Sequence, residues 1–152
     1  MGDAKRRPSL DHYRYSQIVM PISHHHTSIK TADIFKSIAF YEALGFEVTE
    51  RFSAGITLAC WMHGAGTNLE LMQVPEPKNI TDPFKDEHYV GYYHLSFRVD
   101  DLTQFLQELL DKLGKLKLLL PPRSQAIGDH VYQVAFIADP DGLPIELMQR
   151  IE

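Results

Sequence analysis

Cysteine is almost missing from this chain: among 152 residues only Cys60 carries a thiol. No intrachain disulfide can form, and the expected compartment is a reducing one, with a cytoplasmic location. Long apolar runs are missing too. Nothing approaches the roughly 20 residues of a membrane-spanning helix, and the leucines at 118–120 end at Pro121-Pro122, so no membrane partner is expected. The first residues carry charge without a following apolar stretch, which argues against a secretory signal. Arg6 stands where N-myristoylation needs Ser or Thr. Net positive charge is also lacking: 15 Lys and Arg against 20 Asp and Glu leave −5, the wrong sign for a nucleic-acid footprint. What remains, 44% hydrophobic and 23% charged residues, is the composition of one globular domain, or of two small modules sharing a core.

The pattern along the chain favours two modules. Residues 1–21 read as a polar tail in which Tyr13 to Met20 could add an edge strand. The first module spans 22–75. Ile22 to Thr31 reads as a strand with His24, His26, Ser28 and Lys30 on one face. Asp33 is placed to cap a helix whose apolar residues Ile34, Ile38, Tyr41 and Leu44 recur at helical spacing, and Gly45 stops it. Residues 46–52, 55–63 and 68–74 then read as strands, the last two joined by a hairpin turn at Gly64-Ala65-Gly66. A proline-rich, charged linker occupies 76–90.

The second module, 91–149, starts again in the same order. Residues 92–99 alternate, with His94, Ser96 and Arg98 on the polar face. Asp101 caps a helix lined by Phe105, Leu109 and Leu113 and ended by Gly114. Strands are predicted at 115–120, 130–138 and 143–149, with a loop at 121–128. His26 precedes Asp33 by the same seven residues that separate His94 from Asp101. This is an internal repeat of strand, helix and three strands, giving an α+β fold of two βαβββ modules.

Each repeat opens on a polar-face histidine and closes on a carboxylate between apolar neighbours: His26 with Glu70, then His94 with Glu146. A carboxylate in such company has to be hydrogen-bonded, neutralised or coordinated. Two imidazoles and two carboxylates suit zinc, nickel, cobalt, manganese or iron better than calcium, and would leave positions open for water or substrate. Taken singly, a strand histidine is more often a half-buried surface residue and such a glutamate a solvent-face residue; the repetition argues for a site. His24 shares a face with His26 and is a candidate to orient it. His63, His88 and His130 read as exposed turn or loop residues, and Cys60 as a small core residue.

The stretches HTSIKTAD and AFYEALGF in the first half, with HLSFRVDD and AFIADPDGLPIEL in the second, resemble the vicinal oxygen chelate superfamily of glyoxalase I, bleomycin-resistance proteins and dioxygenases, most closely the glyoxalase I-like proteins. The resemblance covers residues 22–148. It implies two modules curled into a cleft around one divalent metal, nickel or zinc first, held by His26, Glu70, His94 and Glu146. It implies a lyase or isomerase that moves a proton next to a carbonyl through a metal-stabilised enediolate, with Glu146 the first choice for the base and Glu70 the second. It also implies a homodimer, and a small-molecule substrate with a glutathione adduct among the candidates. Lys30 and Arg98, each four residues past a histidine, are placed to grip an anionic substrate. Val74 and Val90 depart from the polar residues expected at a glutathione pocket. The alternatives are an iron dioxygenase, with Glu70 outside the metal shell, and a metal-free ligand-sequestering protein.

Overall fold

The computed structural model describes residues 22–78 and 82–152; the tail and the strand expected at Tyr13 to Met20 lie outside them. In the first module, β1 (Thr27–Thr31), α1 (Ile34–Ala43), β2 (Glu47–Ala54), β3 (Thr57–Gly64) and β4 (Thr67–Gln73) follow in order. The second contains β5 (Leu95–Arg98), α2 (Leu102–Leu113), β6 (Leu118–Ile127), β7 (His130–Ala138) and β8 (Pro144–Arg150). Each module makes one four-stranded sheet, ordered β1-β4-β3-β2 and β5-β8-β7-β6. The first strand of each runs parallel to the last, and the other pairings are antiparallel. The expected two-module α+β architecture is observed.

Both helices begin as the sequence predicts. The Asp33 carboxylate accepts from the Phe35 and Lys36 amides, and Asp101 accepts from Gln104 N, satisfying amides that a helix start leaves unpaired. Gly114 closes α2 with φ 70°, left-handed backbone that glycine adopts cheaply. The apolar faces of both helices and both sheets make one continuous core. Ile29, Tyr41, Met62, Leu69 and Leu71 of the first module join Leu102, Leu109, Ile137, Ile145 and Leu147 of the second.

Three expectations are corrected. β1 begins at Thr27, not Ile22, because its ladder runs only from Thr27↔Leu69 to Thr31↔Gln73. His24 and His26 therefore lie in an extended lead-in, anchored where Asn68 Nδ2 donates 2.8 Å to the His25 carbonyl. β5 likewise starts just after His94. The loop expected at 121–128 is instead the far half of β6, paired to β7 through Ile127↔His130. β6 is an edge strand, and Pro121-Pro122 fall where its register shifts between Leu120 and Arg123, so their missing amides cost no ladder bond.

The tight turn before β8 ties the modules together. Tyr41 in α1 donates to Asp139 Oδ2 at 3.1 Å. Beyond it, the Ala32 amide donates to Asp141 Oδ1 at 3.1 Å, and the Thr31 hydroxyl donates to Asp141 Oδ2.

Candidate metal centre

Strand alternation sets the site. Ile29 in β1, Cys60 and Met62 in β3, and Leu69 and Leu71 in β4 all enter the core. Ser28, Lys30, Trp61 and Glu70 must then lie on the opposite face of the first sheet. The register puts Ser28 and Trp61 on either side of Glu70, Ser28↔Glu70 in the parallel pair and Trp61↔Glu70 in the antiparallel one. The second sheet repeats the lattice, with Ser96↔Glu146 and Phe136↔Glu146.

The side chains repeat as closely as the backbone. Ser28 donates to Glu70 Oε2 at 2.6 Å, and Ser96 donates to Glu146 Oε2 at 2.6 Å. His26 Nε2 lies 3.5 Å from Glu70 Oε2, and His94 Nε2 lies 3.3 Å from Glu146 Oε2. A direct N–H···O hydrogen bond usually measures about 2.7–3.2 Å. Two donor atoms bound to one ion at about 2.0–2.2 Å stand roughly 3.0–3.5 Å apart at octahedral or tetrahedral angles. Both spacings match neighbouring ligands of a metal better than a hydrogen bond. The carboxylates are largely covered, 14% and 13% exposed, and still open to the outer face.

The two modules differ around this shared frame. Trp61 Nε1 donates to Glu70 Oε1 at 3.2 Å, while Phe136 has nothing to donate at the matching position of Glu146. Hydrogen bonds from Ser28 and Trp61, with the nearby His26, hold the Glu70 carboxyl below its ordinary range against the opposing effect of partial burial. His26 Nδ1 sits 2.7 Å from His25 Nδ1. His94 Nδ1 is buried without a hydrogen-bond partner among the described residues, its ring packed edge-on to Tyr93 and Phe136.

The sequence places His26, Glu70, His94 and Glu146 in one set; a single chain brings them together as two pairs. Among the described residues, no group of three His, Cys, Asp or Glu side chains forms a metal-binding cluster. Each pair supplies one nitrogen and one oxygen donor, half of the expected four. Lys30 and Arg98 also part company. Lys30 lines a groove of about 760 Å³ with Val74, Lys117 and Asp141, and Arg98 lines a recess of about 400 Å³ at the start of α2.

Smaller expectations divide. The neighbour that meets His26 is His25; the His24 ring instead reaches Thr27 Oγ1 at 3.4 Å. His88 is exposed in a turn as expected; His63 is exposed but lies in β3, and His130 opens β7 half-buried, with Nδ1 2.9 Å from Arg150 Nη2. Cys60 is buried in the core and burial pushes its thiol up, away from nucleophilic character. The residues that sequence reasoning missed are Ser28, Ser96 and Trp61. The repeated His-x-Ser of HTS and HLS was the available signal for the serines; Trp61 had none short of the register.

The sequence profile of the Glyoxalase/Bleomycin resistance protein/Dioxygenase superfamily matches residues 23–147. A Synechocystis sp. protein named "Probable lactoylglutathione lyase" is 30% identical over 128 residues, covering 82% of this chain and 92% of that protein. A glyoxalase family protein from Bacillus cereus superposes with a TM-score of 0.66 at 17% identity, over 84% of this chain and 93% of that one. The trypanothione-dependent glyoxalase I of Leishmania major superposes with a TM-score of 0.60 at 24% identity, over 84% and 86%. At these identities the two solved structures establish likeness of fold. No helix among the described residues is long and apolar enough to cross a membrane.

Proposed function

The chain belongs to the glyoxalase/bleomycin resistance protein/dioxygenase superfamily, and we propose that it is a metal-dependent lyase or isomerase of glyoxalase I type. The observation that carries this reading is the matched pair of half-sites, His26–Glu70 and His94–Glu146, each a histidine and a serine-held glutamate at ligand spacing. Because the pairs stay apart within one chain, the complete set requires two chains. A two-fold dimer that apposes the first pair of one protomer to the second pair of its partner makes two four-ligand sites, by the symmetry of an isologous interface.

Nickel or zinc fits this donor set first, with cobalt, manganese and iron also compatible. When bound, such an ion supplies a Lewis acid that stabilises negative charge on a substrate oxygen. The chain's own groups do the rest. His26 and His94 offer Nε2, and Glu70 completes the cradle. Glu146 takes the proton from a carbon beside a carbonyl and returns it to the adjacent carbon, a net isomerisation that consumes no external oxidant. Ser96 holds one oxygen of Glu146 and leaves the other for the proton. Lys30 and Arg98, each four residues past one of the two histidines and lining separate recesses, are the cations available to grip an anionic substrate. A small carbonyl compound or its thiol adduct, such as a glutathione hemithioacetal, fits that charge, and the name of the Synechocystis relative supports it.

An iron dioxygenase would need Glu70 outside the metal shell; its Oε2 lies 3.5 Å from His26 Nε2, which favours the lyase. A sequestering protein has no use for two matched ligand pairs. The test is methylglyoxal plus glutathione turnover after metal removal and restoration of nickel or zinc in turn. Glu146→Gln should keep its metal and lose turnover. Failure with every metal, or undiminished turnover in that variant, contradicts the proposal.

A further inference from the structure

We propose that Trp61 is a positioning residue that immobilises Glu70 and thereby assigns proton transfer to Glu146. The inference rests on the lyase reading above and deepens it.

The two modules place their carboxylates on the same lattice. Each glutamate has a serine across one strand boundary and an aromatic residue across the other: Ser28 and Trp61 for Glu70, Ser96 and Phe136 for Glu146. The serines act identically, each donating 2.6 Å to Oε2. The aromatics do not. Trp61 Nε1 donates 3.2 Å to Glu70 Oε1, so both oxygens of Glu70 are tied. Among the described residues Glu146 accepts from Ser96 alone, and a phenyl ring has no donor to add.

Trp61 is itself held in place. His25 meets it edge-on with centroids 5.3 Å apart, and Phe52 does so at 5.2 Å from the neighbouring strand. The indole is clamped, so it acts as a fixed donor. In the assembled dimer every centre would receive one carboxylate tied at both oxygens and one tied at a single oxygen. A carboxylate that accepts a proton and gives it back must reorient. A hydrogen bond to a charged group corresponds to about a ten- to hundredfold bias in such an equilibrium, so the singly tied glutamate moves and the doubly tied one stays. The asymmetry comes from one residue, and it needs no difference in the metal ligands.

A packing residue would occupy the same place, and the experiment separates the two roles. Trp61 is the chain's one tryptophan, so a 15N-labelled sample gives a single side-chain indole cross-peak. Glu70→Gln should move that peak and Glu146→Gln should leave it in place, a readout independent of turnover. Activity is then compared at saturating metal in Glu146→Gln, in Trp61→Phe/Glu146→Gln, and in Phe136→Trp. Trp61→Phe keeps the aromatic packing and frees Glu70, so the double variant should be at least tenfold more active than Glu146→Gln alone. Phe136→Trp adds a donor beside Glu146 and should lower kcat about tenfold or more, with KM little changed. Phe136 is buried, so if that variant fails to fold the other two arms still decide. An indole peak indifferent to Glu70→Gln overturns the proposal, as does a double variant no more active than Glu146→Gln. A wild-type protein without turnover under any metal overturns the lyase reading first, and is distinguished from failure of the positioning role by that lack of wild-type activity.

Discussion

Tyr41 of the first module and Asp139 of the second share a buried 3.1 Å hydrogen bond, with Asp139 5% exposed and Tyr41 fully covered. The bond lets α1 and the turn before β8 pack as one body, and it sets the frame on which both half-sites are built. Burial, reinforced by the neighbouring Asp141 charge, raises Asp139 from its ordinary 3.8 to about 6, against the lowering effect of hydrogen bonds from Leu143 N, Tyr41 and Asp141 N.

A raised carboxyl means that the folded state binds a proton the unfolded chain has already released. Its stabilising contribution is complete below pH 3.8 and is lost as pH rises through about 6. The expected loss is on the order of 2–3 kcal/mol, at about 1.36 kcal/mol per unit. Asp139→Asn keeps the acceptor for Asp141 N and Leu143 N and removes the titration. Urea denaturation across pH 4–7 should show the variant gaining on the wild type as pH rises. Parallel profiles would contradict this account of the turn.

The serines are the next link. Ser28→Ala and Ser96→Ala each leave a proposed ligand glutamate without the 2.6 Å donor that orients it. Loss of a residue that supports a ligand usually weakens metal binding by about 10- to 100-fold. Competition with a chelator should find both variants weakened to a similar degree. A shift of twofold or less in either would mean that the serine merely fills a strand position.

Gly64 gives a test of the fold alone. The sequence reads it as part of a hairpin turn, whereas it ends β3, and the turn residues proper are Ala65 and Gly66, with φ 49° and 72°. Its smallness serves packing: a Cβ there would stand 2.7 Å from Phe46 Cα and 2.8 Å from the Gly45 carbonyl oxygen. Both are backbone atoms at the exit of α1 and cannot swing aside. Gly64→Ala should cost roughly 1–3 kcal/mol of stability without altering metal affinity per folded molecule. A melting temperature equal to wild type would contradict the close approach.

These cases show where the sequence was legible. Period-two alternation put His94, Ser96 and Arg98 on one face because it is a local signal, and the repeat carried the same phase to His26, Ser28 and Lys30. Asp33 and Asp101 announced their helices for the same reason. Whether Pro121-Pro122 end a strand was not local: it turned on β6 lying at a sheet edge. The start of β1 was set by where its ladder with β4 begins, at Thr27↔Leu69, although β4 itself starts two residues earlier. Trp61 could be paired with Glu70 only through the β3–β4 register. The separation of the two ligand pairs followed from helices and sheets of both modules sharing one core, a tertiary fact with no signature in spacing.

The most direct measurement of the central claim is subunit complementation. In the proposed dimer, His26→Ala disables the first half-site of a chain and His94→Ala the second, so that either variant alone leaves both shared centres without a ligand. Co-expressed in equal amounts, the two produce about half mixed dimers, each with one intact centre, so about a quarter of the wild-type sites return by simple two-fold statistics. The account predicts inactive single variants and a mixture that recovers metal binding and turnover toward that fraction. A mixture as inactive as its parents, under conditions where mixed dimers are demonstrated, would contradict a centre shared between chains.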